Sequence, residues 1–193
     1  MTTPPKILVF AGSARRDSLN KRLARWVAAL AEEAGAAATF LDLADHPMPL
    51  FNQDLEASDG MPAGARAFRD QLSSHDGFVI ASPEYNSSVT PLLKNAIDWA
   101  SRSPEGGGDL SAYQGKVAGL VAASPGALGG LRGLVHLRAI LGNIGVHVVP
   151  SQMAISQAAN ALKEDGRPTE EAQASRVRAV AEEVVRVTSA LRG

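Results

Sequence analysis

The stretch Lys6–Asn20, KILVFAGSARRDSLN, constrains the fold more than any other part of the chain. A short apolar run, Ile7-Leu8-Val9-Phe10, stops at Gly12. Small, hydroxylated and cationic residues follow (Ser13, Ala14, Arg15, Arg16, Asp17, Ser18), and then a helical pattern begins. An unbroken apolar run of this length is what a central parallel strand, buried on both faces, looks like in sequence. Strand, polar loop and helix in that order make an anion site, because unpaired N–H groups and the positive end of the helix dipole meet at the helix start. The hydroxyls of Ser13 and Ser18, the Asn20 amide and the Arg15 guanidinium add donors, and arginine grips phosphate oxygens bidentately. The same residues also suit a solvated loop in which Asp17 or Ser18 simply caps the helix. Neither GxxxxGKS/T nor GxGxxG occurs, so this is not a nucleoside-triphosphate P-loop and carries no dinucleotide fingerprint.

The strand-then-helix pattern recurs along the chain. A helix is expected from about Ser18 to Ala34, with Leu19, Leu23, Trp26, Val27 and Leu30 on one face and Gly35 as its stop. Ala37–Leu41 reads as a second strand with Asp42 at its end, and Asp45–Pro62, with its three prolines, as a long loop. A helix over Ala63–Ser74 and a third strand over Gly77–Ala81 follow. Thr90-Pro91 is a helix start with a stripe at Leu93, Ala96, Ile97 and Ala100. Lys116–Ala123 is a fourth strand, Gly129–Leu141 a helix and Gly145–Val149 a fifth strand. Pro150–Arg167 reads as irregular, and a last helix opens at Thr169 with its stripe at Val177, Val180, Ala181, Val184 and Leu191.

Alternation of this kind, with no internal repeat, predicts one domain over residues 1–193: an α/β, flavodoxin-like, doubly wound parallel sheet of five strands in the order 2-1-3-4-5, with helices on both faces. Ligands of such sheets bind beyond the C-terminal strand ends beside the switch point. That rule selects the loops after strands one, three and four: GSARRDS, SPEYNSS and SPGALGG. Pro83, Glu84, Tyr85 and Asn86 offer one aromatic and a row of backbone groups, which suits a planar heterocycle or, equally, a plain β-turn. Ser124–Gly130 has three glycines, which permit close backbone approach to a ligand or merely tight packing.

Composition closes off other classes. The chain has 193 residues, 45% apolar and 20% charged, with net charge −1, so nothing in its bulk electrostatics points to nucleic acid or an anionic membrane. No cysteine is present, which removes disulfides, thiolate metal sites and cysteine nucleophiles. The four histidines, His46, His75, His136 and His147, have no metal-ligand spacing, so no metal site is expected. His147 lies in a strand pattern and is expected at an edge. The N-terminus MTTPPK shows no signal-peptide pattern, no run approaches the roughly 18 residues of a membrane span, and a cytoplasmic location is expected. GxSxG is absent, against a serine hydrolase.

GSARRDSLN, DLADHPMPLFNQDL, SPEYNSSVTPLLKNAIDWASR and SPGALGGLRG, in that order, resemble the NADPH-dependent FMN reductase family, which includes quinone, chromate and azo-dye reductases. The similarity runs from Lys6 to about Val149, and PEYN followed by LKNAIDW is its most specific part. The resemblance implies a flavodoxin-like fold holding FMN non-covalently. It assigns Ser13, Arg15, Ser18, Leu19 and Asn20 to the phosphate end, Pro83, Glu84, Tyr85 and Asn86 to the isoalloxazine, and Ser124 and Gly126 to a wall near the other flavin edge. It implies NADPH or NADH as co-substrate, a small-molecule electron acceptor (a quinone, flavin, azo compound or metal oxyanion) and a homodimer or homotetramer. Two departures stand out. Arg16-Asp17 replaces a small residue or glycine and sets a carboxylate beside the phosphate, and Ser88-Val89-Thr90-Pro91 replaces a commoner glycine and proline arrangement.

The function expected on that basis is ping-pong hydride transfer from NAD(P)H to FMN and on to the acceptor, with the chemistry carried by the cofactor and no catalytic side chain. The competing expectation is an electron carrier of flavodoxin type without its own turnover. Such carriers tend to be acidic and aromatic around the ring, whereas this chain is near neutral with 5% aromatics. Trp99 falls off the Leu93/Ala96/Ile97 stripe, which suits either ordinary core against a second layer or a subunit contact, the latter preferred. The Gly129–Leu141 helix is apolar on two sides (Leu131, Leu134, Val135; Leu137, Ile140), which suggests cover by a partner as well as by the sheet.

Overall fold

The computed structural model describes residues 3–192. Met1 and Thr2, on which the reading of the extreme N-terminus partly rests, lie outside the described residues, as does Gly193. In chain order the elements are β1 (Lys6–Ala11), α1 (Leu19–Glu33), β2 (Ala37–Leu41), α2 (Gln53–Asp59), α3 (Ala63–Ser74), β3 (Gly77–Ala81), β4 (Glu84–Tyr85), β5 (Ser88–Val89), α4 (Pro91–Ala100), β6 (Val117–Ala123), α5 (Leu131–Asn143), β7 (His147–Ile155), α6 (Ala158–Ala161) and α7 (Glu171–Leu191). A short 3-10 turn, Leu43–Asp45, follows β2.

The main sheet is parallel in the order β2-β1-β3-β6-β7, the flavodoxin-like order expected for five alternating strands. Its central strands are buried throughout, and the side-chain alternation of β1 sorts the core into two layers. Ile7, Val9 and Ala11 face Leu23, Val27 and Leu30 of α1 and Val177, Val180 and Val184 of α7. Leu8 and Phe10 face Phe68 and Leu72 of α3, Leu93 and Ile97 of α4, and Leu134 and Leu137 of α5. No described helix is long and apolar enough to cross a membrane.

Several expectations are corrected. Asp45–Pro62 is not a plain loop: it starts at the end of the 3-10 turn and contains α2, with Asn52 capping α2 through a 2.8 Å bond from the Asp54 amide. The helix expected from Gly129 begins at Leu131, after two glycines at positive φ. A Cβ on Gly129 would fall 2.7 Å from the backbone of Ile155, and one on Gly130 2.8 Å from the Ala122 Cβ, so these residues belong to the loop that crosses the ends of β6 and β7. The fifth main-sheet strand runs on through Pro150 to Ile155. Proline is tolerated there because β7 is an edge strand with a bulge, its register slipping between Ala118 and Leu120 of β6. Side chains hold the bulge: Arg138 donates to the Val148 and Pro150 carbonyls, and the Ser151 amide donates to Glu183. The last helix starts at Glu171 rather than Thr169, whose amide donates to the Ala161 carbonyl at 2.8 Å, and Leu191 is exposed.

Trp99 is core within the chain. It is fully buried, packs edge-to-face on Phe51 at 5.0 Å and donates its indole N–H to the Pro49 carbonyl at 2.8 Å. Asn95, one turn earlier, accepts from the Phe51 amide and donates to Pro49, and Arg102 forms a bidentate ion pair with Glu56 of α2. Asn95 and Trp99, continued by Arg102 just past the helix end, give α4 a second face, and the Pro47–Glu56 segment covers it. His147 is exposed on β7, the expected edge position.

Candidate functional site

The first loop leaves β1 at Gly12, whose amide donates to the Ala81 carbonyl of β3 at 3.0 Å. A Cβ there would sit 3.0 Å from Leu93 and 3.3 Å from Pro83, so the loop passes tightly between two neighbours. Ser13 is nearly buried, and its hydroxyl accepts weakly from the Arg15 amide at 3.3 Å. Ser18 is the cap of α1, accepting from the Lys21 amide at 3.4 Å. Asp17 is therefore not the cap; it is exposed, as are Arg15 and Arg16. Neither Arg15 nor Arg16 forms an ion pair among the described residues.

The second loop is a two-stranded hairpin. Glu84-Tyr85 pairs antiparallel with Ser88-Val89, and Asn86 and Ser87 form the turn at φ 49° and 68°. Two successive residues in the left-handed region make a primed turn, the type whose twist suits a two-residue hairpin, and asparagine tolerates it well. Behind this hairpin Thr90 caps α4 and donates its hydroxyl to the Gly12 carbonyl at 2.7 Å. The third loop, after β6, holds Ser124, whose hydroxyl accepts from the Gly126 amide, while the Gly126 carbonyl accepts from Gly129 and Gln157.

These loops are tied to one another in a closed ring. Thr90 joins the second loop to the first at Gly12. Asn20 of α1 joins the first to the third: its amide donates to the Ala123 carbonyl at 2.8 Å and accepts from the Ala123 amide at 2.9 Å. Glu84 joins the second to the first turn of α5, the helix that follows the third: its carboxylate accepts from Arg132 at 2.7 and 3.0 Å and from the Gly133 amide at 3.0 Å. Burial works to raise the Glu84 pKa, but the Gly133 and Arg132 donors outweigh it and hold the carboxyl below the usual range. Lys21, buried behind Ser18, pairs with Asp42 at 2.7 Å and fixes the start of α1 to the end of β2.

Between these loops lies a cavity of about 100 Å³ lined by Ser13, Arg15, Ser18, Leu19, Asn20, Pro83, Glu84, Tyr85, Ala123, Ser124 and Pro125. Most residues singled out from the sequence thus line one cavity, although the Asn20 amide is already engaged on Ala123. Asn86 and Gly126 are not in its lining: Asn86 forms the hairpin turn, and Gly126 is bonded within the third loop and to Gln157. Ala123 and Pro125 join the lining; their only sequence signal was adjacency to Ser124. Arg16 and Asp17 are not part of the lining, so of the two arginines before α1 only Arg15 lines the cavity. The cavity therefore has hydroxyls, a free guanidinium and a helix start at one end, and proline, tyrosine and hairpin backbone at the other. No described group of histidine, aspartate and glutamate is placed to hold a metal ion.

Comparison with known proteins gives this geometry its context. The family model for NADPH-dependent FMN reductase matches residues 5–160. An NAD(P)H-dependent FMN reductase of Pseudomonas aeruginosa is 39% identical over 171 residues, covering 86% of each chain. A quinone reductase of Escherichia coli K12 is 36% identical over 141 residues, 73% of this chain and 71% of that one. Among solved structures, the flavoenzyme NAD(P)H:(acceptor) oxidoreductase FerB of Paracoccus denitrificans superposes with TM-score 0.81 at 29% identity, covering 96% of this chain and 98% of that one. The match over most of the chain, in sequence and in fold, makes it a member of the NADPH-dependent FMN reductase family.

Proposed function

We propose that the chain is an FMN-dependent NAD(P)H oxidoreductase that reduces a small-molecule acceptor, and that the cavity between the three loops is its FMN site. The observation that carries this reading is the split character of that single cavity, with phosphate donors at one end and a hairpin platform at the other. The donor set fits a phosphate monoester. The Ser13 and Ser18 hydroxyls and the guanidinium of Arg15 stand at the start of α1, where unpaired amides and the helix dipole favour a dianion. Pro83, Glu84 and Tyr85 would present backbone and one aromatic ring to the isoalloxazine, with Ser124 and Pro125 as the facing wall. Asn20 supports the phosphate end by holding Ala123 in place.

FMN supplies the two-electron redox chemistry when bound. The protein anchors the phosphate, keeps the ring platform rigid through the Thr90, Asn20 and Glu84 ties, and leaves one side open for NAD(P)H and then the acceptor. A single shared site agrees with the absence of a separate dinucleotide fingerprint and implies ping-pong kinetics. The relatives named as quinone reductases make a quinone the first acceptor to try; free flavins, azo compounds and metal oxyanions complete the panel. A homodimer or homotetramer and cytoplasmic residence belong to the same reading, the first supported by exposed apolar residues on α5.

Purified protein loaded with FMN should be bleached by NADPH or NADH without oxygen and recoloured by a quinone, with parallel initial-velocity lines. Intersecting lines overturn the ping-pong mechanism, and bleaching only through a separate reductase overturns the enzyme reading in favour of an electron carrier. Arg15→Ala should weaken FMN about tenfold or more, from loss of a charge-assisted bidentate contact, while leaving riboflavin affinity unchanged because riboflavin lacks the phosphate. Equal affinity of variant and wild type for FMN removes Arg15 from the phosphate site.

A further inference from the structure

α5 begins without a cap of its own. Its N-cap is Gly130, at φ 99°, which has no side chain to offer the first-turn amides. Such amides carry partial positive charge and need an acceptor. The acceptor comes from another part of the chain: the Glu84 carboxylate, from the β4–β5 hairpin, accepts from the Gly133 amide at 3.0 Å and from both Nε and Nη2 of Arg132. The approach is close. A Cβ on Gly133 would lie 3.2 Å from the Ser88 carbonyl oxygen and 3.4 Å from the Glu84 Cβ, so the hairpin rests directly on the first turn of α5. Glu84 is nearly buried whereas Arg132 is more than half exposed, so the anion is the fixed member of the pair and the guanidinium closes over it.

We propose that Glu84 is a positioning residue for the flavin ring: its carboxylate caps α5 from a distance and so locks the hairpin platform at the angle the isoalloxazine requires. The proposal rests on the FMN reading of the cavity and adds to it a role for a side chain that need not touch the flavin. The hairpin is otherwise lightly held. It pairs over only Glu84↔Val89 and Tyr85↔Ser88, and a hairpin of that length has little stability of its own. Its outer strand has one further tie to α5, between Ser88 Oγ and His136 Nδ1 at 3.0 Å. Removing the Glu84 charge therefore releases the platform while the phosphate end, built on α1, stays intact.

Apo-protein titrated with FMN and, separately, with riboflavin, followed by flavin fluorescence, tests this. Glu84→Gln and Arg132→Gln should each weaken both flavins by the same factor, about tenfold, as expected for losing charge-assisted bonds. The double variant should be no weaker than Glu84→Gln alone, because both changes break one clamp. A loss confined to FMN would place the effect at the phosphate end and overturn the proposal. So would unchanged affinity for both flavins with only a lowered unfolding midpoint of the apo-protein, which is the mark of a purely structural cap. Arg132→Gln, at an exposed side chain, keeps the test open should Glu84→Gln fold poorly. Wild-type protein that binds neither flavin would instead sink the FMN reading itself, a result distinguishable from wild-type binding that the clamp variants leave untouched.

Discussion

Asn20 illustrates how a residue can belong to a site without facing its ligand. In sequence it is a polar residue at a phosphate-binding helix start, and its amide reads as one more donor. In the structure both amide atoms are engaged on the backbone of Ala123, and the residue is almost wholly buried. Asn20→Ala would leave a buried N–H and a buried C=O without partners, and each costs about 1–3 kcal/mol, so a loss of about 2–6 kcal/mol is expected. Asn20→Asp would keep the acceptor, lose the donor and add a charge in a buried place, so it should rescue nothing. Urea unfolding of the two variants measures this. A change below about 0.5 kcal/mol, the range of ordinary surface substitutions, would show that the clamp is not holding the loops. Asp17 teaches the converse. A carboxylate beside a phosphate site looked costly in sequence, but with Ser18 as the cap it points no bonds into the loop and stands outside the cavity lining.

Among the elements, those whose signal is local were legible. β1, β3 and β6 announce themselves as apolar runs, Thr90-Pro91 marks the start of α4, and the strand order follows from alternation. The elements that were misread depend on partners distant in sequence. α2 has seven residues between proline-rich flanks; Asn95 and Trp99 of α4 hold the segment before it, and Arg102, just past α4, holds Glu56 within it, a face too polar for hydrophobic periodicity to reveal. β7 continues past Pro150 because Arg138 and Glu183 satisfy its bulge. The Glu56–Arg102 pair that docks α2 gives a pH prediction. The hydrogen bond from Arg102 lowers the Glu56 pKa against the opposing effect of burial. A carboxyl whose folded pKa lies below its unfolded value stabilises fully above the unfolded value, near 4.5, and loses that contribution as pH falls through the folded value. Denaturant unfolding at a series of pH values from about 6 to 3 should show a steep acid limb in the wild type and a shallower one in Glu56→Gln. Parallel limbs would mean that the pair contributes nothing to acid sensitivity.

For the whole molecule, α5 is the element that presents two demands at once. Leu134, Leu137 and Leu141 fill the core, while Leu131 and Val135 are 43% and 56% exposed and Leu128, just before the helix, is 49% exposed. Single exposed leucines are ordinary, but apolar residues at successive turn spacing along one flank form a stripe, and such a stripe commonly marks an interaction surface. The proposed homodimer or homotetramer would cover it, because a second copy of the chain would supply a matching stripe under two-fold symmetry. The stripe shares its helix with Arg132 and Gly133, which hold the hairpin, so a partner seated there would border the ring end of the cavity. Val135→Lys puts a charge in the middle of the stripe without touching the core. Sedimentation should then give a particle near the 20.1 kDa of one chain, where the wild type gives at least twice that mass. Circular dichroism should be unchanged, since the substituted side chain is exposed. Leu131→Lys should behave alike, and if both variants sediment as the wild type does, the stripe is not the contact between subunits. Flavin titration of the same variants separates the levels of the argument: a monomer that binds FMN as tightly as the wild type has a cavity completed within one chain by its three interlocked loops, whereas a monomer with weakened binding needs the second copy to hold α5, and through Glu84 the hairpin, in place.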